Sequence, residues 1–169
     1  MTHYPDAVWT KPQLIDHLSQ TASLFQANVF KPSRPYTAQS QGAWLELIQA
    51  VSDMVRQSSL AGKRIDFTDE VSTRGDSQDI TSLLDTMRPR AYLLHATGPA
   101  QEDLVFLDPM LNHVDGAARG HFSNGVFFIC PHRSEQTFFI GGDRIYFYRH
   151  LMRAYLEAGD YLISVSTSD

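Results

Sequence analysis

Cysteine and lysine are both scarce in this sequence of 169 residues. Cys130 is the single cysteine, so an intrachain disulfide is impossible and a small secreted scaffold built on disulfides is excluded. The lysines are Lys11, Lys31 and Lys63; the other basic residues are arginines, which suit forked and stacked contacts better. The formal net charge of -5 argues against general nucleic-acid binding, which needs a basic surface, so we expect no nucleic-acid partner.

Long apolar runs are absent as well. No stretch approaches the roughly 18 apolar residues that a transmembrane helix requires, so we expect no membrane segment. The first residues, MTHYPDAVWT, show neither the basic nor the apolar region of a signal peptide, and a cytoplasmic protein is expected. Hydrophobic residues at 43% and charged residues at 20% are typical of a globular domain that buries its own core.

Familiar catalytic and cofactor-binding motifs are also missing. The sequence has no HEXXH or CxxC metal motif, no GxSxG nucleophile motif, and neither of the glycine patterns that bind phosphates and dinucleotides. We therefore assign no catalytic residue and predict no cofactor. Cys130 ends an apolar segment and is interpreted as a packing residue, because free cysteines are usually buried.

Two segments of the N-terminal half show the periodicity of amphipathic helices. Thr10 and Gln13 have the spacing of a capping box, and Pro12 is tolerated in a first turn. The apolar residues that follow at helical spacing are Leu14, Ile15, Leu18, Ala22 and Phe25. A second helix is predicted over 40–59, ending near Gly62. Its apolar stripe consists of Trp44, Leu47, Ile48, Val51 and Val55.

The segment 66–85 is acidic, and Arg74 is its one basic residue. A short helix is predicted over 78–87, because Pro89 disfavours its continuation. The acidic segment is interpreted as a solvated loop that leads into a helix start, where carboxylates are stabilised by the helix dipole. The alternative is a docking edge for a basic partner.

The C-terminal half has a strand-like pattern. Short runs rich in branched and aromatic residues predict strands over 91–96, 104–107, 126–130 and 137–140. The last two are predicted to form a hairpin through 131–136.

A final helix is predicted after the glycine pair that precedes Asp143, with Asp143 as its N-cap. Gly159 is predicted to end this helix, and 161–165 to add one more strand. The order of elements predicts a single α+β domain over 1–169, with N-terminal helices packed on a mostly antiparallel sheet and a C-terminal helix.

The segment 108–125 is predicted to be a long loop between two strands, and long loops inside a domain are often functional. Arg119 is the leading candidate in it, because an arginine between glycine-bounded turns can bind a carboxylate or phosphate through a fork of hydrogen bonds. The ligand- or partner-binding candidates of this segment are Asp108, His113, Asp115, Arg119, His121 and Asn124.

A metal site is an alternative for the same segment. Its oxygen and nitrogen ligands would suit a divalent cation that activates water. These ligands would be Asp108, His113, Asp115 and His121. Their spacing matches no established metal motif, so a polar surface loop is the preferred interpretation and no metal is predicted.

The final predicted helix carries Arg149 and Arg153 four residues apart, followed by Glu157. One interpretation is a solvated face with weak pairing between successive turns. The other is a local basic face, opposite the acidic 66–85 segment, that orients a protein partner. Arg149 and Arg153 are therefore included among the partner-binding candidates.

The leading functional hypothesis is a non-enzymatic, protein-binding or inhibitor-like cytoplasmic protein. The alternative is a small metal-assisted hydrolase or nuclease that uses the 108–125 segment. A third hypothesis is a homodimer. Adjacent phenylalanines at 127–128 and 138–139 point to opposite faces of their strands, and a second copy could cover one of these faces.

Overall fold

The structure is a computed structural model that describes residues 7–71, 78–97, 111–122, 125 and 127–167. The α-helices are α1 (Lys11–Phe25), α2 (Ala38–Leu60), α3 (Ile80–Thr97) and α4 (Arg153–Ser166). The strands are β1 (Leu111–Asp115), β2 (Ala118–His121), β3 (Phe127–Cys130), β4 (Gln136–Ile140) and β5 (Asp143–Tyr146). A 3-10 turn (Asn28–Phe30) follows α1, and a π-helical segment (Phe147–Met152) leads into α4. This order and the antiparallel pairing of the strands confirm the predicted α+β class.

The predicted start of α1 is confirmed in detail. The Gln13 side chain accepts a hydrogen bond from the Thr10 backbone N–H at 2.9 Å, and the Thr10 side chain accepts the Gln13 N–H in return. Leu14 and Phe25 are buried as the stripe requires, but the Ile15 side chain is 57% exposed. Ile15 therefore lies on the solvent-facing side of α1, away from its contacts with α2 and α4.

Helix α2 lies at the centre of the helical layer and packs against α1, α3 and α4. Every residue of its predicted apolar stripe is buried. The Trp44 side chain, 1% exposed, stacks on the Phe138 ring of β4 with their centroids 5.1 Å apart. The rings of Phe30 and Phe147 meet Trp44 edge-on at 5.3 and 5.7 Å. Trp44 thus joins the helices to the sheet.

Helix α3 corrects two predictions, since it continues through Pro89 and contains residues 91–96 as helix rather than strand. Ala91 and Leu94 are buried at helical spacing from Met87, so the continuing turns pack on α2. Arg90, one residue past the proline, forms an ion pair with Asp143 at 2.9 Å. These contacts outweigh the helix-breaking tendency of proline. The strand predicted over 104–107 lies outside the described residues.

The strands form two antiparallel sheets rather than one. A three-stranded sheet has the order β1-β4-β5, and β2 pairs with β3 in a two-stranded sheet, which we call the ribbon. The predicted hairpin between 126–130 and 137–140 is therefore wrong, because β3 and β4 belong to different sheets. The prediction of a structureless loop over 108–125 is also wrong, since that segment contains β1 and β2.

The C-terminal helix begins later and ends later than predicted. Asp143 is not an N-cap but the first residue of β5, where it pairs with Ile140. The helix continues past Gly159. Gly159 is not a helix end but a packing position, because α4 approaches α1 so closely there that a Cβ would lie 3.1 Å from the Leu18 side chain. The predicted strand over 161–165 is likewise helical.

Buried residues from all four helices and from β4 and β5 form one hydrophobic cluster. The single domain predicted over 1–169 stays a prediction. Within the described part of the chain, no helix combines the length and the apolar character needed to cross a membrane.

Replacing Trp44 with alanine should remove the link between α2 and β4. We expect Trp44→Ala to lower the free energy of unfolding by about 3–5 kcal/mol, since the cavity would lie in a fully packed region. Ile15→Ala, on the exposed side of α1, should cost less than about 1 kcal/mol. Denaturant unfolding of both variants measures the difference, and equal losses would contradict the central role of Trp44.

Candidate functional site

The ribbon presents two apolar side chains to the outside. Phe127 and Ile129 alternate along β3 and are 52% and 48% exposed. His121 lies opposite Phe127 in β2, and Arg119 lies opposite Ile129. The side chains of Arg119 and His121 are both exposed. Because alternate residues of a strand share a face, these side chains form the outer face of the ribbon.

The inner face of the ribbon is anchored by aromatic contacts. Phe128 stacks on Phe122 with centroids 4.4 Å apart, and both rings contact Phe139 of β4 at 6.2 and 4.9 Å. Cys130, on the same face as Phe128, is buried, in agreement with its interpretation as a packing residue. Packing of the inner face thus leaves the outer face turned away from the core.

A polar region surrounds the turn at Thr68–Val71, which we call the acidic turn. The Val71 N–H donates to the Thr68 carbonyl oxygen at 3.1 Å, and Glu70 adopts a left-handed φ of 56°. Asp69 forms an ion pair with Arg153 at 2.6 Å. The Glu70 carboxylate lies 2.6 Å from Nε2 of His132.

Basic side chains contact both the backbone and the carboxylate of Glu70 in the acidic turn. Nη2 of Arg144 donates to the Glu70 carbonyl oxygen at 3.1 Å. Burial acts to raise the pKa of the Glu70 carboxyl, but the hydrogen bond with His132 and nearby positive charges, including Arg149, lower it overall. The predicted basic face and the acidic segment are therefore in contact with each other. Among the described residues, Asp69 pairs with Arg153 of this face, and Glu70 lies 3.9 Å from Arg149.

His150 joins the acidic turn to the start of the C-terminal helix and is completely buried. Its Nδ1 accepts the Tyr146 N–H at 3.1 Å, and its Nε2–H donates to the Asp69 carbonyl oxygen at 3.0 Å. Burial lowers the pKa of His150 from 6.5 to about 4, against the opposing effect of the hydrogen bond to Asp69. The neutral imidazole is thus part of the folded structure.

Glu135 is a structurally important residue that is absent from the predicted site. Its buried carboxylate accepts the backbone N–H groups of Tyr148 and Arg149 at 2.9 and 3.0 Å. These N–H groups belong to the first turn of the helical segment that leads into α4, so Glu135 acts as its cap. Sequence reasoning could not find this role, because Glu135 is far from the helix start along the chain.

The structure separates the polar candidates of the 108–125 segment. In β1, the His113 ring stacks on Tyr36 at a centroid distance of 5.0 Å, and burial lowers its pKa. Asp115, at the end of β1, accepts the Ser33 N–H at 3.4 Å. Arg119 and His121 belong instead to the ribbon. Asp108 and Asn124 lie outside the described residues.

The metal hypothesis gains no support from this arrangement. No group of three or more His, Cys, Asp or Glu side chains within the described ranges is placed to hold a metal ion. His113 and His121 lie in different sheets. Since Asp108 is not described, the metal-assisted hydrolase stays an untested prediction.

A cleft of about 790 Å³ lies between the 131–136 segment and the start of the C-terminal helix. Arg133 and Arg149 line it, but so do Asp115 and Glu135. The cleft therefore carries charged side chains of both signs. Arg149 is half-exposed here and only loosely paired, with its guanidinium 3.9 Å from both Glu70 and Glu135.

Comparisons with known proteins identify no relative. No family model, curated protein or solved structure matches this chain.

The buried neutral imidazole of His150 predicts a loss of stability in mild acid. An unfolded histidine takes up a proton near pH 6.5, whereas folded His150 resists protonation until about pH 4. The unfolded state therefore binds more protons between these values. Stability is retained above about pH 6.5 and falls as the pH decreases towards about 4, by about 2 kcal/mol between about pH 7 and about pH 5.

Denaturant unfolding across this range measures the loss, with His150→Gln as the comparison. Glutamine retains a donor and an acceptor but does not titrate, so we expect a smaller pH dependence. A residual slope should remain because burial lowers the pKa of His113 in the same direction. Identical slopes in the wild type and His150→Gln would contradict the role given to His150.

Arg119 should contribute little to folding. It is exposed, and its side chain makes no hydrogen bond or ion pair with any described residue. We expect Arg119→Ala to change the free energy of unfolding by less than about 0.5 kcal/mol. Thermal or denaturant melts test this prediction. A loss of stability comparable to that of Trp44→Ala would show that the ribbon serves folding rather than binding.

Proposed function

We propose that this chain is a non-enzymatic protein-binding protein that docks its partner on the outer face of the ribbon. The observation that carries the proposal is the exposure of Phe127 and Ile129, side by side on a ribbon whose inner face is anchored. Aromatic groups and arginine are enriched at the centres of protein interfaces. Arg119 supplies the arginine, directly across from Ile129.

The arrangement of the four side chains supports a continuous patch rather than scattered apolar residues. The rings of His121 and Phe127 lie 5.1 Å apart. Cross-strand neighbours on one face lie close enough for their side chains to touch, so the Arg119–Ile129 pair extends the same patch. A partner could therefore contact all four groups at once.

The distribution of charge also favours this surface. Arg153 is paired with Asp69 and with Glu157, whereas Arg119 has no ion pair with any residue that the structure describes. An arginine without an internal partner can bind a partner's carboxylate without first breaking an internal ion pair. We propose a cytoplasmic protein as that partner. If the partner is an enzyme, docking on this face would give an inhibitor-like action; if it is a second copy of the chain, docking would give a homodimer.

The test is capture of a stoichiometric partner from cells of the native source, using wild type and a Phe127→Ser/Ile129→Ser double variant. We expect the wild type to recover the partner and the ribbon variant to lose it, because polar substitution removes the apolar centre of the interface. Thermal melts of the isolated proteins should agree closely, since both residues are half-exposed.

A matched control substitutes Leu156→Ser/Ile163→Ser on α4, where the two side chains are 52% and 46% exposed. This control should recover the partner as the wild type does. Equal recovery by both double variants would place the interface elsewhere. Recovery of nothing stoichiometric, together with a defined enzymatic activity, would refute the binding function itself.

A further inference from the structure

The direction of the backbone groups in the ribbon shows which edge is open. The Phe122 carbonyl oxygen accepts the Gly125 N–H at 2.9 Å, so it faces the returning strand. Backbone groups of a strand alternate in direction, so Gly120 and Ala118 also face β3. The N–H and carbonyl groups of Arg119 and His121 must then point away from β3, along the outer edge of β2.

The opposite edge of the ribbon gives the same alternation independently. Nη1 of Arg144 donates to the Ile129 carbonyl oxygen at 3.2 Å, so this carbonyl points outward from β3. Ile129 lies opposite Arg119, which makes them a pair without mutual backbone hydrogen bonds. Arg144 partly covers the edge of β3, whereas β2 has no pairing strand other than β3 among the described residues.

We propose that the edge of β2 binds an extended acidic segment of a protein partner by strand addition. Such a segment would pair with the backbone groups of Arg119 and His121, which point away from β3. Strand addition uses these main-chain bonds for affinity and alternate side chains for specificity. This inference rests on the proposed protein-binding function and specifies its mode.

Charge complementarity decides the kind of segment. The described residues of β2 and β3 include no carboxylate, while Arg119 and His121 are exposed on the outer face. Residues of an added strand that lie opposite Arg119 and His121 would place their side chains on that same face. Aspartate or glutamate at every second position therefore fits the edge. A second copy of β2 fits less well, because it would bring the same basic side chains together.

The experiment measures amide hydrogen exchange in the full chain with two synthetic peptides of about ten residues, the length of a long strand. One alternates glutamate with threonine and the other alternates lysine with threonine. At about 90% occupancy by the glutamate peptide, the amides of Arg119 and His121 should exchange about tenfold more slowly. The amide of Gly120, which faces β3, should not change, and the lysine peptide should have no effect.

Two charge variants provide the matched comparison. Arg119→Glu should lose protection by the glutamate peptide and gain protection by the lysine peptide. Arg133→Glu changes the net charge equally at an exposed position outside the ribbon, and it should behave as the wild type. A glutamate peptide N-methylated at alternate residues, in the frame that blocks its donors to β2, should not protect.

Other outcomes overturn the proposal. Absence of protection by the glutamate peptide, or equal protection by both peptides, would refute acidic strand addition. Protection that appears without peptide and grows with protein concentration would show that a second copy covers the edge. If a partner is captured through Phe127 and Ile129 while the peptide gives no protection, the binding function stands and only strand addition fails. If the peptide protects but no partner is captured, the edge of β2 can bind an acidic strand but the proposed protein-binding function fails.

Discussion

Packing of Trp44 against β4 couples the helical layer to the strands and thereby holds the other elements in place. Its ring projects from α2 and stacks on Phe138, and the edges of Phe30 and Phe147 meet it from other elements. β4 is the middle strand of its sheet, so fixing it against α2 also fixes β1 and β5. The ribbon depends on the same strand, since Phe139 of β4 holds its inner face.

Charged residues divide into two groups with different roles. Around the acidic turn, Asp69 and Glu70 pair with arginines and His132, and each exposed pair contributes little energy on its own. Together with buried His150, these contacts join the turn to the helix that follows β5. Arg119 belongs to the second group, because its charge has no partner among the described residues. It lies opposite Ile129 on the exposed outer face of the ribbon.

Local signals predicted the N-terminal helices well and the C-terminal half poorly. The Thr10 capping box and the α2 stripe depend only on residues close together in the chain, so local sequence patterns are enough to predict them. The same local rules predict helix ends at Pro89 and Gly159, and both predictions are wrong. Contacts of α3 with α2 and of α4 with Leu18, which are distant in sequence, decide those positions.

The α+β order, the buried face of α2 and the polar character of Arg119 and His121 follow from local sequence. The pairing of β3 with β2, and of β4 with β1 and β5, does not follow from local sequence. Alternation along a strand establishes which residues share a face, but it does not identify the neighbouring strand or the covered side. The exposure of Phe127 and the open edge of β2 depend on those two choices, which long-range packing makes.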